Sequence, residues 1–233
     1  MILKLNQIQK NYNDICVLKD FSLQVKKGEI ICLIGPSGCG KSTLLNIIAG
    51  ILQPSAGAIV NHSSRISYMF QEDRLLPWRN VYQNIQIVNK DSRPEQVLEL
   101  IEHVGLIGFE SYYPSQLSGG MRQRAAMARA FNCPADLLLM DEPLKSLDYN
   151  LRIAMIGYLV NLWEDTHKAI IFVTHEIDEA LLLGDKILVL SDRPAQVIRE
   201  FAITMPKQGR SLTDTHLTEL RNEVINLLQG VST

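Results

Sequence analysis

The sequence predicts an α/β fold with a parallel-sheet core, and three observations carry that prediction. Short continuous apolar runs occur at residues 30–34, 137–140, 170–173 and 187–190. Runs of this kind suit strands buried on both faces, whereas half-exposed strands alternate apolar and polar residues. Helical patterns follow the first three runs, at residues 41–49, 149–165 and 176–183. Strand and helix in alternation is the signature of an α/β core.

Two regions break the rhythm. Residues 1–28 and 57–70 read as short strands with turn residues. Ile2, Leu3, Leu5 and Ile8, then Phe21, Leu23 and Val25, are spaced for half-buried strands of an antiparallel sheet. Residues 72–128 read as a helical insertion. There Val97, Leu98, Leu100, Ile101 and Val104 recur at helical spacing behind Pro94, a residue suited to a first helical turn. In the tail, Leu217, Leu220, Val224 and Leu227 step by three and four, which predicts an amphipathic helix over about 213–229. The whole chain, 1–233, reads as one domain carrying these insertions.

Composition narrows the function classes. The chain has 233 residues, 46% of them hydrophobic and 21% charged, and a formal net charge of −2 from 23 Lys+Arg against 25 Asp+Glu. A chain of this size buries roughly 70–75% of its unfolded surface, enough for a substantial core. Near-neutral charge argues against a nucleic-acid partner, which usually demands a basic excess. Cys16, Cys32, Cys39 and Cys133 form neither a CxxC pair nor a Cys/His cluster, so reduced thiols are expected. The first residues turn polar too early for a signal peptide, and no apolar run approaches the ~20 residues of a membrane span.

The chemistry begins at Gly35-Pro36-Ser37-Gly38-Cys39-Gly40-Lys41-Ser42, which fits GxxxxGK[ST]. A chance match somewhere in such a chain has a probability on the order of 1%. The motif also follows a buried run and opens a helical one, as phosphate binding requires. Glycines let backbone N–H groups converge on phosphate oxygens, and the helix N-terminus adds partial positive charge. Lys41 is placed to reach the β- and γ-phosphates, and Ser42 to ligate Mg²⁺. Cys39 is not required by this chemistry. Downstream, an apolar strand ends in Asp141 and Glu142. It delivers Asp141 to the Mg²⁺ shell and leaves Glu142 to polarise an attacking water.

Leu117-Ser118-Gly119-Gly120-Met121-Arg122-Gln123-Arg124 resembles the LSGGQ signature of the ATP-binding cassette (ABC) ATPases, with Met121 in place of glutamine. Other motifs of that family stand in the same order. Tyr12 matches the aromatic that stacks on adenine, Gln71 the Q-loop, Ser146-Leu147-Asp148 the D-loop and His175 the switch histidine. The resemblance covers about residues 1–205. It implies a RecA-like parallel-sheet core with an N-terminal antiparallel β-subdomain and an inserted helical subdomain. It also implies ATP and Mg²⁺ as ligands, with nucleotide contacts running from Gly35 through Thr43, and Gln71 joining Ser42 and Asp141 at the metal.

The same resemblance implies an activity. Water attacks the γ-phosphate, Glu142 orients or deprotonates it, and Lys41, His175 and Mg²⁺ stabilise the developing charge. Ser118, Gly119 and Gly120 offer a hydroxyl and a helix N-terminus to the γ-phosphate of a second copy. A head-to-tail dimer is therefore expected, with Asp148 linking its two sites. One departure precedes the D-loop, where Leu144-Lys145 replaces the aromatic and small residue more usual in importers.

Residues 74–81, with Leu75, Leu76, Trp78 and Arg79, and then Asn84-Ile85, resemble the nitrate/sulfonate/taurine importer branch, which also takes up pyrimidine precursors. That branch implies a membrane permease as partner, a solute-binding protein acting through it, and a place on the cytoplasmic face of the inner membrane. Leu75, Leu76 and Trp78 either pack under the helical insertion or face the permease. Trp78 and Arg79 are the candidate anchors, since Trp and Arg dominate interface energetics. The alternative is an ABC ATPase acting on a protein partner, as in iron–sulfur assembly. The solute is not encoded in the motifs, because this subunit does not touch it.

Overall fold

The computed structural model describes residues 1–145 and 147–231. In chain order its elements are β1 (Leu3–Tyr12), β2 (Ile15–Val25), β3 (Ile30–Ile34), α1 (Lys41–Ile48), β4 (Ala56–Asn61) and β5 (Ile66–Met69). Next come α2 (Val81–Gln86), α3 (Pro94–His103), a 3₁₀ turn at Pro114–Gln116, α4 (Gly119–Asn132), β6 (Leu137–Asp141) and α5 (Tyr149–Thr166). The chain continues with β7 (Ala169–Thr174), α6 (Ile177–Leu183), β8 (Lys186–Leu190), β9 (Val197–Ala202) and α7 (Thr215–Val231). These elements form two compact units, one of Met1–Ser63 with the chain from Ala169 onward, the other Ser64–Lys168.

The first unit contains two sheets. In one, β1 is central and pairs antiparallel with β2 and β4. Leu3, Leu5 and Ile8 lie opposite Val25, Leu23 and Phe21, all buried. Leu5 and Ile8 are three apart and still share a face, because the register shifts between them at Gln7, whose φ is 48°. This is a bulge, one extra residue inserted to keep the next apolar side chain inward.

In the other sheet β3 lies between β7 and β8, parallel to both, and β9 runs antiparallel along β8. Every residue of β3 and β7 is buried, as their unbroken apolar runs demand. Strand β9 has a mostly exposed pattern and therefore no apolar run to announce it. Helix α7 packs on α6 and β8 through Leu217, Leu220 and Val224. Arg210 donates to the carbonyls of Leu181 (2.9 Å) and Gly184 (2.8 Å), satisfying acceptors left over at the end of α6.

In the second unit β5 pairs with β6 in parallel register, Ile66 to Met69 against Leu137 to Met140. This corrects the expectation that residues 57–70 belong wholly to the antiparallel sheet: β4 does, β5 does not. Ser67 and Met69 are buried on one face of β5, and the Ser67 hydroxyl donates to the Ala130 carbonyl of α4. Around that pair α4 packs against α2, α3 and α5. Helix α3 starts at Pro94 and buries Val97 and Ile101, and Leu98, counted with them in the sequence pattern, stays exposed.

Candidate functional site

The residues assigned to nucleotide chemistry divide between the units. Tyr12, the loop 35–43 and His175 belong to the first; Gln71, the signature, Asp141, Glu142 and Asp148 belong to the second.

In the first unit buried β3 runs into the loop that ends at Gly40, and α1 starts at Lys41. Gly38 and Gly40 have φ of +76° and +130°, and a Cβ on Gly40 would lie 2.9 Å from Val17 Cγ1. A side chain there is excluded both by backbone conformation and by packing. No side chain caps α1, so its first N–H groups are directed to no acceptor of their own helix end. A tight glycine loop feeding an uncapped helix N-terminus fits a polyphosphate.

The Lys41 ammonium donates to the carbonyls of Gly35 (2.7 Å) and Pro36 (2.8 Å) and is buried. It therefore stands over the loop, held there by the carbonyls. Arg193 Nη2 reaches the same loop and donates to the Gly38 carbonyl at 2.5 Å. No motif reading pointed to Arg193; the loop at residues 191–196 brings it there. Cys39 is buried, and burial raises its thiol pKa, so it stays a neutral thiol. Ser37, Gly38 and Ser42 are exposed, with Pro36 and Thr43 half-buried. Tyr12 is exposed at the end of β1, with Lys10 Nζ 5.0 Å from its ring centroid. His175 follows β7, its Nε2 3.7 Å from Glu176 Oε1. Thr174 shapes this turn: its hydroxyl donates to Glu179 Oε2 (2.6 Å) and accepts the Glu176 N–H (3.0 Å).

In the second unit Leu137 to Met140 are fully buried, and β6 ends at Asp141. The Tyr68 hydroxyl hydrogen-bonds Asp141, and its pKa is raised, mainly by burial and then by that carboxylate. Glu142 has φ of 45°, a left-handed conformation that costs a residue other than glycine roughly 1–2 kcal/mol. Gln123, buried on α4, donates to the Pro143 carbonyl in the turn that follows.

Ser118 is the N-cap of α4, its Oγ accepting the Met121 N–H at 3.2 Å. Gly119 and Gly120 open the helix as its first two residues. A Cβ on Gly120 would meet Leu151 Cδ2 at 2.5 Å, so this glycine serves the packing of α4 on α5. Asp148 is the N-cap of α5, accepting the Leu151 N–H at 2.9 Å. Ser146 lies outside the described residues.

Gln71 is exposed, and with Gly119, Arg122 and Gln123 it lines a cavity of about 510 Å³. The segment after it is bound to α4 by two arginines. Arg122 donates to Asp73 Oδ2 (3.1 Å), and Arg129 to the carbonyls of Asp73 (2.7 Å) and Arg74 (2.8 Å). Further on, the apolar loop residues split. Leu75 is buried, Leu76 is half-buried, and Trp78 is 70% exposed. Buried Asn84 holds this loop in shape. Its Oδ1 accepts the Leu76 N–H (2.8 Å), and its Nδ2 donates to the Arg79 carbonyl (2.9 Å). Among the described residues no cluster of three or more His, Cys, Asp or Glu could hold a metal.

Residues 18–145 match the family model described as ABC transporter. The chain belongs to that family. This ABC protein is 42% identical, over 96% of its length and 92% of the relative's, to the aliphatic sulfonates import ATP-binding protein SsuB 1 of Rhodococcus jostii. It is 40% identical, over 87% of its length and 84% of the relative's, to the taurine import ATP-binding protein TauB of Yersinia pestis. It is 41% identical, over 91% of its length and 35% of the relative's, to the nitrate import ATP-binding protein NrtC of Synechococcus elongatus. Among solved structures, the ATP-binding cassette MJ0796 in a dimeric post-hydrolysis state with ADP and Pi matches it with a TM-score of 0.76. There the identity is 28%, over 88% of this chain and all of that one. The ABC cassette is thus an ATPase of the α/β class, with the antiparallel β-subdomain expected of it.

Proposed function

We propose that this cassette hydrolyses MgATP as the energising subunit of an importer for a small anionic solute, a sulfonate, taurine or nitrate-like ion. Pyrimidine precursors are the class that the similar proteins support less. The observation that carries the reading is the 42% identity, over nearly the full chain, with a sulfonate import ATP-binding protein.

Residues of each unit are assigned a role in the reaction. The loop from Gly35 to Thr43 binds the phosphates with backbone N–H groups, and Lys41 exchanges part of its hold on the loop carbonyls for phosphate oxygens. Tyr12 stacks on adenine. Ser42, Asp141 and Gln71 would hold Mg²⁺, which would supply charge neutralisation to the phosphates. Glu142 accepts a proton from, or orients, the attacking water, and His175 stabilises charge developing on the γ-phosphate.

The uncapped hydrogen of Ser118, with the N-terminus of α4, is offered to the γ-phosphate bound by a second copy. A head-to-tail dimer follows from that role, and Asp148 stands beside its seam. Trp78, an exposed large apolar side chain on a loop braced by Asn84, supports docking to a permease. The cassette then acts at the cytoplasmic face of the membrane, and a solute-binding protein selects the cargo. No helix among the described residues is long and apolar enough to cross a membrane, so this assignment places translocation in the partner.

Glu142→Gln tests the enzymatic part: nucleotide binding should persist while most turnover is lost, and hydrolysis at the parent rate would remove Glu142 from its role. Co-purification of the tagged cassette with a permease encoded beside it tests the transport part. A ligand screen on the adjacent binding protein names the solute.

A further inference from the structure

Arg193 lies in the first unit, on the loop between β8 and β9, and reaches the glycine loop from outside it. Its Nη2 donates to the Gly38 carbonyl at 2.5 Å. The base that carries it is fixed. The Ser191 N–H donates to the Gln196 carbonyl (3.0 Å), and the Ser191 hydroxyl donates to the Pro194 carbonyl (2.9 Å) and accepts the Gln196 N–H (3.0 Å). Buried Ala195 bonds β2 in both directions, its N–H to the Val17 carbonyl (2.9 Å) and its carbonyl to the Lys19 N–H (3.3 Å). Val17 is also the residue that closes on Gly40. Strand β2 therefore sets the position of the glycine loop and of the arginine that holds it.

Gly38 needs such a hold. Its φ is +76°, and a glycine has other conformations nearly as accessible. Among the described residues beyond its chain neighbours, Arg193 Nη2 is the one atom within 4 Å of a Cβ built there, at 3.5 Å, so packing does not stop this peptide from rotating. A phosphate cradle needs N–H groups turned inward and carbonyls turned away. Here Lys41 holds the Gly35 and Pro36 carbonyls, and Arg193 holds that of Gly38. A carbonyl released toward the anion would repel it.

We propose that Arg193 is a positioning residue for nucleotide binding, which fixes the peptide geometry of the phosphate loop through the Gly38 carbonyl. The inference rests on residues 35–43 being the phosphate site. The bond is made to the loop and not to reacting atoms, so its effect falls on affinity for nucleotide and little on the chemical step.

The test measures equilibrium binding of MgATP to the purified full chain, with steady-state hydrolysis in parallel, for Arg193→Ala, Arg193→Lys and Lys41→Ala. Arg193→Ala should raise the Kd and KM for MgATP by about fivefold or more, through loss of a charge-assisted hydrogen bond, while kcat at saturation falls less than about twofold. Arg193→Lys, which can still donate to the Gly38 carbonyl, should recover most of the affinity. The ratio of the Arg193→Ala Kd to the parent Kd should persist from about 0.05 M to about 0.5 M salt, because salt screens an exposed charge acting at a distance far more than a hydrogen bond. The Tm of the nucleotide-free variant should stay within about 2 °C of the parent, as for a surface substitution. The proposal is overturned if Arg193→Ala binds MgATP with parent affinity, if the ratio vanishes at high salt, or if Arg193→Lys is as weak as Arg193→Ala. A kcat that falls together with affinity, or a Tm drop beyond that margin, overturns it as well. Binding of MgATP at parent affinity by Lys41→Ala would instead overturn residues 35–43 as the phosphate site, an outcome distinct from an impaired Lys41→Ala beside an unimpaired Arg193→Ala.

Discussion

Arg122 Nε donates to Asp73 Oδ2 at 3.1 Å, and the same guanidinium donates through Nη1 to the Leu117 carbonyl at 2.8 Å. One side chain in the first turn of α4 therefore ties the start of the signature to the segment just after Gln71. If Gln71 reports on the nucleotide and Ser118 contacts one, Arg122 makes their elements move as one body.

Arg122→Ala should uncouple them. The ion pair is partly exposed, so the stability loss should stay near 1 kcal/mol, read as a small fall in Tm. Hydrolysis should fall more than tenfold, and Arg122→Lys should not restore it, because a lysine lacks the fork that bonds both partners.

Glu142→Gln should leave nucleotide binding within severalfold of the parent and lower kcat by roughly 10²–10⁴. Equilibrium binding of a fluorescent ATP analogue, set beside phosphate release, separates the two effects.

Gly40→Ala should abolish nucleotide binding. The added Cβ would sit 2.9 Å from Val17 Cγ1 in a backbone conformation with φ of +130°. A Tm drop together with loss of ATP-dependent stabilisation is the expected reading; a variant still stabilised by ATP would remove this loop from the phosphate site.

Asn84→Ala should destabilise the fold by about 2–4 kcal/mol, since it strips partners from several loop groups around a buried side chain. Chemical denaturation gives the number. Trp78→Ala should behave in the opposite way, with Tm unchanged and co-purification with the permease lost. An unchanged complex would direct attention to Arg79.

The core strands and the chemical motifs could be read in the sequence because both are local signals. An unbroken apolar run such as 30–34 or 137–140 has few folds open to it, and a glycine loop followed by lysine and a helix has a mechanism attached. Residues 66–69 could not be assigned in the same way. Ile66, Ser67, Tyr68 and Met69 alternate as an antiparallel edge strand would, and their parallel partner lies about seventy positions away.

What the sequence by itself determined is the set of motifs: which residues form the glycine loop before α1, which end the β6 run, and which family they resemble. Only the tertiary structure decided how those residues are held. The contacts of Arg193 with Gly38, Asn84 with the loop bearing Trp78, Arg122 with Asp73 and Lys145 with Glu142 are announced by no motif. Of these, Arg193 and Gly38 are joined across 155 positions, and even Lys145, three residues from Glu142, needs the left-handed turn at Glu142 to bring its ammonium back. The physical reason is that hydrogen bonds and ion pairs depend on distance and direction in space. A sequence records which groups exist, and the packing of its apolar runs decides which of them meet.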